Sequence, residues 1–333
     1  MFGRYALSLS VATLLLAACA GPRSAFSPAT SPALLRFSRF PANVVYASDY
    51  LTDQVLIYNQ DGRHEPVGQI VDGIYYPEGM AVDGEGNLYV VNNSSVTVYP
   101  RGKTKPNRAL SGANSPESIA VGTDGTVYVG TYCSACPQKV AVYSPGASSP
   151  SYFIEDANID QTTGLALDAA NNLYVGYTDV AGYVGRISEY SPGSHGPGTQ
   201  LQLSFSWTHG IIFDPKGKMV VVDSRAEAVE VFKHTKKPPY WSLSEEFSVP
   251  GNPWYCGFNR RQSQLFISQN RYDNKVVVYS YPAGKLLGSF AGVPGGDLLG
   301  LATYSDGSQR TAAQPAHAAG ENERRGRRHE GRD

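Results

Sequence analysis

The chain has 333 residues, 41% of them hydrophobic and 11% aromatic, and a formal charge of −1. That length and apolar content allow a large core, while the near-neutral charge argues against a nucleic-acid partner. The 35 Gly and 22 Pro recur between apolar stretches instead of clustering, which suits a turn-rich all-β protein better than disorder.

In chain order, Arg4 precedes an apolar run from Tyr5 to Leu16, and the run ends in Leu16-Ala17-Ala18-Cys19. A short hydrophobic run behind one positive charge reads as a secretory leader, too short for a stable membrane span. Its last four residues resemble the bacterial lipobox. That resemblance implies that residues 1–18 are a signal peptide and that Cys19 becomes a lipidated N-terminus; an ordinary cleaved signal with an incidental cysteine is the alternative. Several acyl chains anchor a protein stably where one binds only marginally. Ala20 follows the cysteine, and by analogy with enterobacterial sorting this favours the outer membrane. The expected location is therefore the bacterial cell envelope, with the membrane as a partner through the anchor. Residues 19–42, rich in Ser, Pro and Ala, read as a flexible tether.

A repeated sentence follows. Its clearest copy runs from Pro77 to Asn92 (PEGMAVDGEGNLYVVN), and weaker copies begin at Pro116, Thr162, Thr208 and Pro253. A sixth is split: Leu298 to Tyr304 supplies only the opening of a repeat and Asn43 to Tyr58 only its middle. The spacing matches the blade length of four-stranded propeller units. Each copy places two apolar strands around an Asp-x-x-Gly-Asn-like turn. Segments 66–71, 151–154 and 201–205 read as outer strands. The expectation is an all-β, six-bladed β-propeller of four-stranded blades over residues 43–306, its ring closed by pairing the N- and C-terminal segments, since closure leaves only short, protected edges. Residues 307–333 alternate Arg with Glu, lack apolar periodicity and read as a disordered tail.

Aligning the copies gives two rings of residues at one rim of the channel. The first holds Glu78, Glu117, Thr163, His209, Trp254 and Leu299; the second holds Asp49, Asn92, Thr131, Tyr177, Asp223 and Gln269. From these, Asp49, Glu78, Asn92, Glu117, Thr163, Tyr177, His209, Asp223 and Trp254 form the candidate ligand-binding rim. Cys133 and Cys136 fall in a β-loop, where an exported protein most simply forms a disulfide, with a free dithiol or a metal site as alternatives. Cys256 reads as a buried thiol in an inner strand. No Gly-x-Ser-x-Gly elbow is present, so no catalytic residue is assigned.

The repeat wording resembles the NHL repeat and, more loosely, the blades of the SMP-30/gluconolactonase group. The second resemblance implies metal-binding carboxylates and amides at first-ring positions. Glu78, Glu117 and His209 match by position and have side chains that suit a divalent cation; Trp254 and Leu299 do not match. Solvated glutamates and a strand-capping histidine are the plainer reading of the same residues. Two functions follow as expectations: an exported, lipid-anchored binding module for a protein, glycan or small-molecule ligand, or a metal-dependent lactonase-like hydrolase or lyase.

Overall fold

The computed structural model describes residues 41–61, 65–133, 135–179, 184–270 and 273–306. The segments read as a signal peptide (1–18) and a disordered tail (307–333), Cys19 and nearly all of the expected tether lie outside the described residues.

The first strands are β1 (Asn43–Asp49), β2 (Gln54–Asn59) and β3 (Gly68–Ile70). Blade 2 is β4 (Met80–Val82), β5 (Leu88–Val91), β6 (Val96–Tyr99) and β7 (Arg108–Leu110); blade 3 is β8 (Pro116–Val121), β9 (Val127–Thr131), β10 (Gln138–Tyr143) and β11 (Tyr152–Glu155). Blade 4 is β12 (Ile159–Leu167), β13 (Leu173–Asp179), β14 (Gly185–Tyr190) and β15 (Thr199–Gln200). Blade 5 is β16 (Thr208–Phe213), β17 (Met219–Asp223), β18 (Ala228–His234) and β19 (Trp241–Ser248). Blade 6 is β20 (Pro253–Phe258), β21 (Gln264–Gln269), β22 (Lys275–Ser280) and β23 (Leu286–Ala291), after which β24 (Leu298–Ser305) returns to blade 1. Each four-stranded sheet is antiparallel, and blade 1 has the order β24-β1-β2-β3. The split repeat is thus one blade, with Asn43 opposite Ser305 and Asp49 opposite Leu298.

The Asp of the repeated turn is what closes the hairpin between the two inner strands. Asp83 Oδ1 accepts the amides of Glu85 and Asn87 at 2.9 Å each, and its Oδ2 accepts Asn87 Nδ2 at 2.7 Å. Asp168 repeats the pattern on Ala170 and Asn172, as does Asp214 on Lys216 and Lys218. The turn also needs a positive φ, supplied by Gly86 at 88° and, in blade 4, by Asn171 at 61°. One expected outer strand differs: in blade 4 the strand is Thr199–Gln200, and 201–205 continues only as single contacts, Leu201 N to Ile187 O and Phe205 paired with Gly185. Leu201 and Phe205 turn inward instead, into the seam with blade 5.

The core is a set of six blade-to-blade seams. Each apolar cluster joins neighbouring blades, including the one at the closing junction, where Val45, Ala47 and Leu301 of blade 1 meet Phe266, Val276 and Phe290 of blade 6. The closing seam is built like the other five. Burial of apolar area at about 25 cal/mol per Å² is what holds such seams together.

Candidate functional site

The first-ring residues sit where the inner strands fall out of register with their partners. The ladder shifts between Pro116 and Ser118, Thr162 and Gly164, Thr208 and Ile211, Pro253 and Cys256, and opposite Ala47 to Asp49. Bulges re-aim side chains. Here they place Glu117, Thr163, His209, Trp254 and Leu299 off the regular ladder at one end of the channel.

One residue further along, the inner strands nearly touch. A Cβ on Gly79, Gly164, Gly210 or Gly300 would strike the backbone of the next blade, at Glu117, His209, Trp254 and Glu78 respectively. Gly79 N in fact donates to Glu117 O at 2.9 Å. At this waist blade 6 carries a tyrosine, Tyr255, whose hydroxyl crosses the ring to donate to the Thr163 carbonyl of blade 4 at 3.2 Å. Tyr255 is a residue that repeat alignment overlooked, because it is one position past the aligned ring. Its signal was the break in a column otherwise read as Gly, Ser, Gly, Gly and Gly. Beyond it, toward the opposite face, lies a cavity of about 360 Å³ walled by Val82, Val121, Leu167, Phe213 and Leu301, with Arg260 at its rim.

On the first-ring side, Glu78 and Glu117 form an acidic pair on adjacent blades. Burial raises both carboxyls, Glu78 to about 7 and Glu117 well above its ordinary value, and the charge of Glu78 adds to the rise at Glu117. Glu117 is 4% exposed, and its Oε2 is buried with no hydrogen-bond partner. Glu78 is half-buried. Tyr50 feels the charge of Glu78, and Tyr132 feels both glutamates. Tyr76 packs between Tyr50 and Tyr75, at 5.0 and 4.6 Å between centroids, with an uncommon φ of 46° for a bulky residue. Tyr75, Tyr76 and Tyr132 are exposed.

His209 belongs to a different group. Its ring stacks on Trp254 at 3.9 Å, and its Nδ1 lies 2.7 Å from Ser224 Oγ. Ser224 gives its own hydrogen to the Pro253 carbonyl, so His209 Nδ1 is the donor and Nε2 keeps the lone pair. Burial lowers this imidazole to about 3, leaving it neutral. Among the described residues no group of three or more His, Cys, Asp or Glu side chains is placed to hold a metal ion, and Glu78, Glu117 and His209 do not stand as one cluster. The physical reason is that Trp254 and Ser224 engage the histidine while the glutamates couple to each other.

The second ring makes backbone contacts within the blades. Asp49, Asn92 and Asp223 are buried and point into the blades, where each clasps the segment leading to its blade's inner strand. Asp49 Oδ1 accepts the amide of Asp297 at 2.8 Å, Asn92 Oδ1 that of Tyr75 at 2.9 Å, and Asp223 those of Ser206 and Trp207 at 2.6 and 2.9 Å. Tyr177 is fully buried in the seam between blades 3 and 4. Thr163 is likewise buried, its hydroxyl 3.1 Å from that of Thr208. Of the nine rim candidates, Glu78, Glu117, His209 and Trp254 remain at the mouth, on two sides of it.

Cys133 and Cys136 are joined in the loop between β9 and β10, with Cα atoms 5.3 Å apart, and Lys139 Nζ donates to the Cys133 carbonyl at 3.1 Å. Cys256 is a buried free thiol.

The closed ring, six seams and one acidic, tyrosine-edged mouth define a six-bladed β-propeller. No protein-family model and no curated protein matches the chain. Solved structures do: a nidogen/laminin complex (TM-score 0.61, 14% identity, covering 79% of this chain and 99% of that one), a protein of unknown function from Bacteroides caccae (0.58, 11%, 79% and 99%) and a functionally unknown protein from Desulfotomaculum acetoxidans (0.56, 14%, 79% and 99%). At such identities the likeness is one of fold.

Proposed function

We propose that the protein is an exported, lipid-anchored binding module of NHL-like or SMP-30-like type, which presents the Glu78/Glu117 mouth to a ligand at the cell envelope. The observation that carries the binding reading is the pair of poorly solvated carboxyls, Glu78 and Glu117, on adjacent blades at a rim that also carries the exposed Tyr75, Tyr76 and Tyr132: burial raises both carboxyls, and Glu78 stays half-buried rather than enclosed. Strongly perturbed carboxyls gathered at a channel mouth mark a candidate binding site. The lipid anchor rests on Leu16-Ala17-Ala18-Cys19.

Two measurements test this. Thermal unfolding of the full-length protein across a chemically diverse compound panel is compared with that of a Glu78→Gln/Glu117→Gln double variant; at least one compound class stabilises the native protein and not the variant. Identical responses to every compound reject the mouth as the binding site. Cys19→Ser releases the protein from the membrane fraction or blocks its processing, and an intact mass without acyl groups rejects the anchor.

A further inference from the structure

We infer that the cavity-side corner of blades 5 and 6 docks on an anionic phospholipid surface, its lysines and arginines meeting the headgroup phosphates and Tyr240, Leu243, Leu286 and Leu287 entering the acyl boundary. The corner lies at the pole opposite the acidic mouth and acts whether or not Cys19 carries an anchor.

Antiparallel order builds this corner. β16 runs from Thr208, beside the first ring, to Phe213 in the cavity wall, and β18 runs the same way, as β22 does beside β20. The turns 235–240 and 281–285 therefore open on the same side as the hairpins after Phe213 and Phe258. These four turns carry Lys216, Lys236, Lys237, Arg260, Arg261 and Lys285, all exposed. None is in an ion pair among the described residues, where the pairs are Arg101–Asp306, Arg186–Asp179, Lys218–Glu245 and Lys275–Asp273. The acids among them are occupied. Asp214 is buried and accepts the amides of Lys216 and Lys218 and the Tyr281 hydroxyl, while Glu245 accepts Lys218 Nζ at 2.9 Å. The same contacts join the two blades into one surface: Tyr281 of blade 6 reaches Asp214 of blade 5 at 3.0 Å and packs edge-on against Phe258 at 4.7 Å, and a Cβ on Gly284 would strike Phe247 of β19.

Cations alone would suit any polyanion; the apolar neighbours select lipid. Tyr240 is 56% exposed, Leu243 49%, Leu286 56% and Leu287 48%. Tyr240 closes the lysine turn, its carbonyl accepting Thr235 N at 2.7 Å, and Leu286 and Leu287 follow Lys285 directly. A soluble polyanion gives such side chains nothing to enter. A charged bilayer draws the basic groups and takes the apolar ones out of water.

The test places an environment-sensitive fluorophore at Leu286→Cys in the full-length Cys19→Ser protein, whose other cysteines are the Cys133–Cys136 disulfide and buried Cys256. Vesicles of phosphatidylcholine, with and without phosphatidylglycerol, are titrated in. The emission shifts to the blue and saturates with the anionic vesicles; phosphatidylcholine alone, or Lys236→Gln/Lys237→Gln, weakens the apparent affinity by about ten-fold or more. Added salt weakens it further. A label at Ser94→Cys, in the β5–β6 loop at the mouth end, stays unchanged. All these positions are exposed, so the unfolding midpoints stay near that of the native protein. Equal responses to both vesicle types, a response indifferent to Lys236→Gln/Lys237→Gln, a larger shift at Ser94→Cys, or no shift with any vesicle overturns the inference. Binding of soluble polyphosphate that Lys236→Gln/Lys237→Gln abolishes, with no vesicle response, makes the corner a polyanion site and overturns the lipid surface.

Discussion

Glu78 and His209 occupy one rim yet answer to pH in opposite senses. Glu78 holds its proton more tightly in the folded protein, at about 7 against an ordinary 4.5. Folding takes up a proton between those values, so this contribution to stability is present below about pH 4.5 and lost as pH rises toward 7. Glu117 acts in the same direction. His209 is held at about 3 against an ordinary 6.5, so its contribution is complete above 6.5 and lost as pH falls toward 3. Urea midpoints measured from pH 4 to 8 should show that Glu78→Gln removes part of the decline above pH 4.5, while His209→Gln removes part of the decline below 6.5. Parallel profiles for the native protein and both variants would refute these assignments. At this scale the sequence was informative about which residues stand near the mouth and silent about how they pair. Residues after each leading Pro or Thr could be aligned by repeat, but the partner of His209 is Ser224, a residue of the loop after the second strand that carries no motif.

At the scale of the element, the hairpin turn explains why the repeat is written as it is. Asp168 gathers the amides of Ala170 and Asn172 and the Asn172 side chain. Asp168→Ala should lower stability by about 1–3 kcal/mol, because the partly buried Asn172 amide and side chain lose their acceptor. A denaturation midpoint unchanged by the substitution would show that the Asp is incidental to the hairpin. Strands and turns were legible because apolar alternation and Asp/Gly/Asn chemistry are local. The bulges were not: the slips at Pro116/Ser118 and Thr208/Ile211 lie where Gly79 and Gly164 of the preceding blades press on Glu117 and His209, a contact between blades that no local pattern encodes. Nor was the clasping by Asp49, Asn92 and Asp223 legible: a carboxylate or amide ending a buried strand finds the backbone of the incoming segment before it finds solvent.

For the whole molecule, closure depends on β24. It supplies the inner strand of blade 1 and, through Leu298 and Leu301, part of the apolar seam with blade 6. Ending the chain before Leu298 removes that strand and leaves β1 unpaired along the channel, so this truncation should aggregate, as exposed strand edges do. Ending it after Asp306 should leave the unfolding midpoint nearly unchanged. Equal midpoints for the two truncations would mean that the ring does not close through its ends. This closure was readable from the complementary fragments Leu298 to Tyr304 and Asn43 to Tyr58, each lacking what the other holds.

The closing strand also fixes an orientation. Asn43 lies opposite Ser305, and Asp306 N donates to the Ala42 carbonyl at 2.9 Å, so the chain enters and leaves the ring at one point. That point is at the Ser305 end of the channel, on the side of the 360 Å³ cavity, while Leu298 and the glutamates stand at the other end. Residues 41 and 42 therefore join the ring on its cavity side, and the tyrosine-edged mouth opens at the opposite pole, clear of both points where the chain meets the ring.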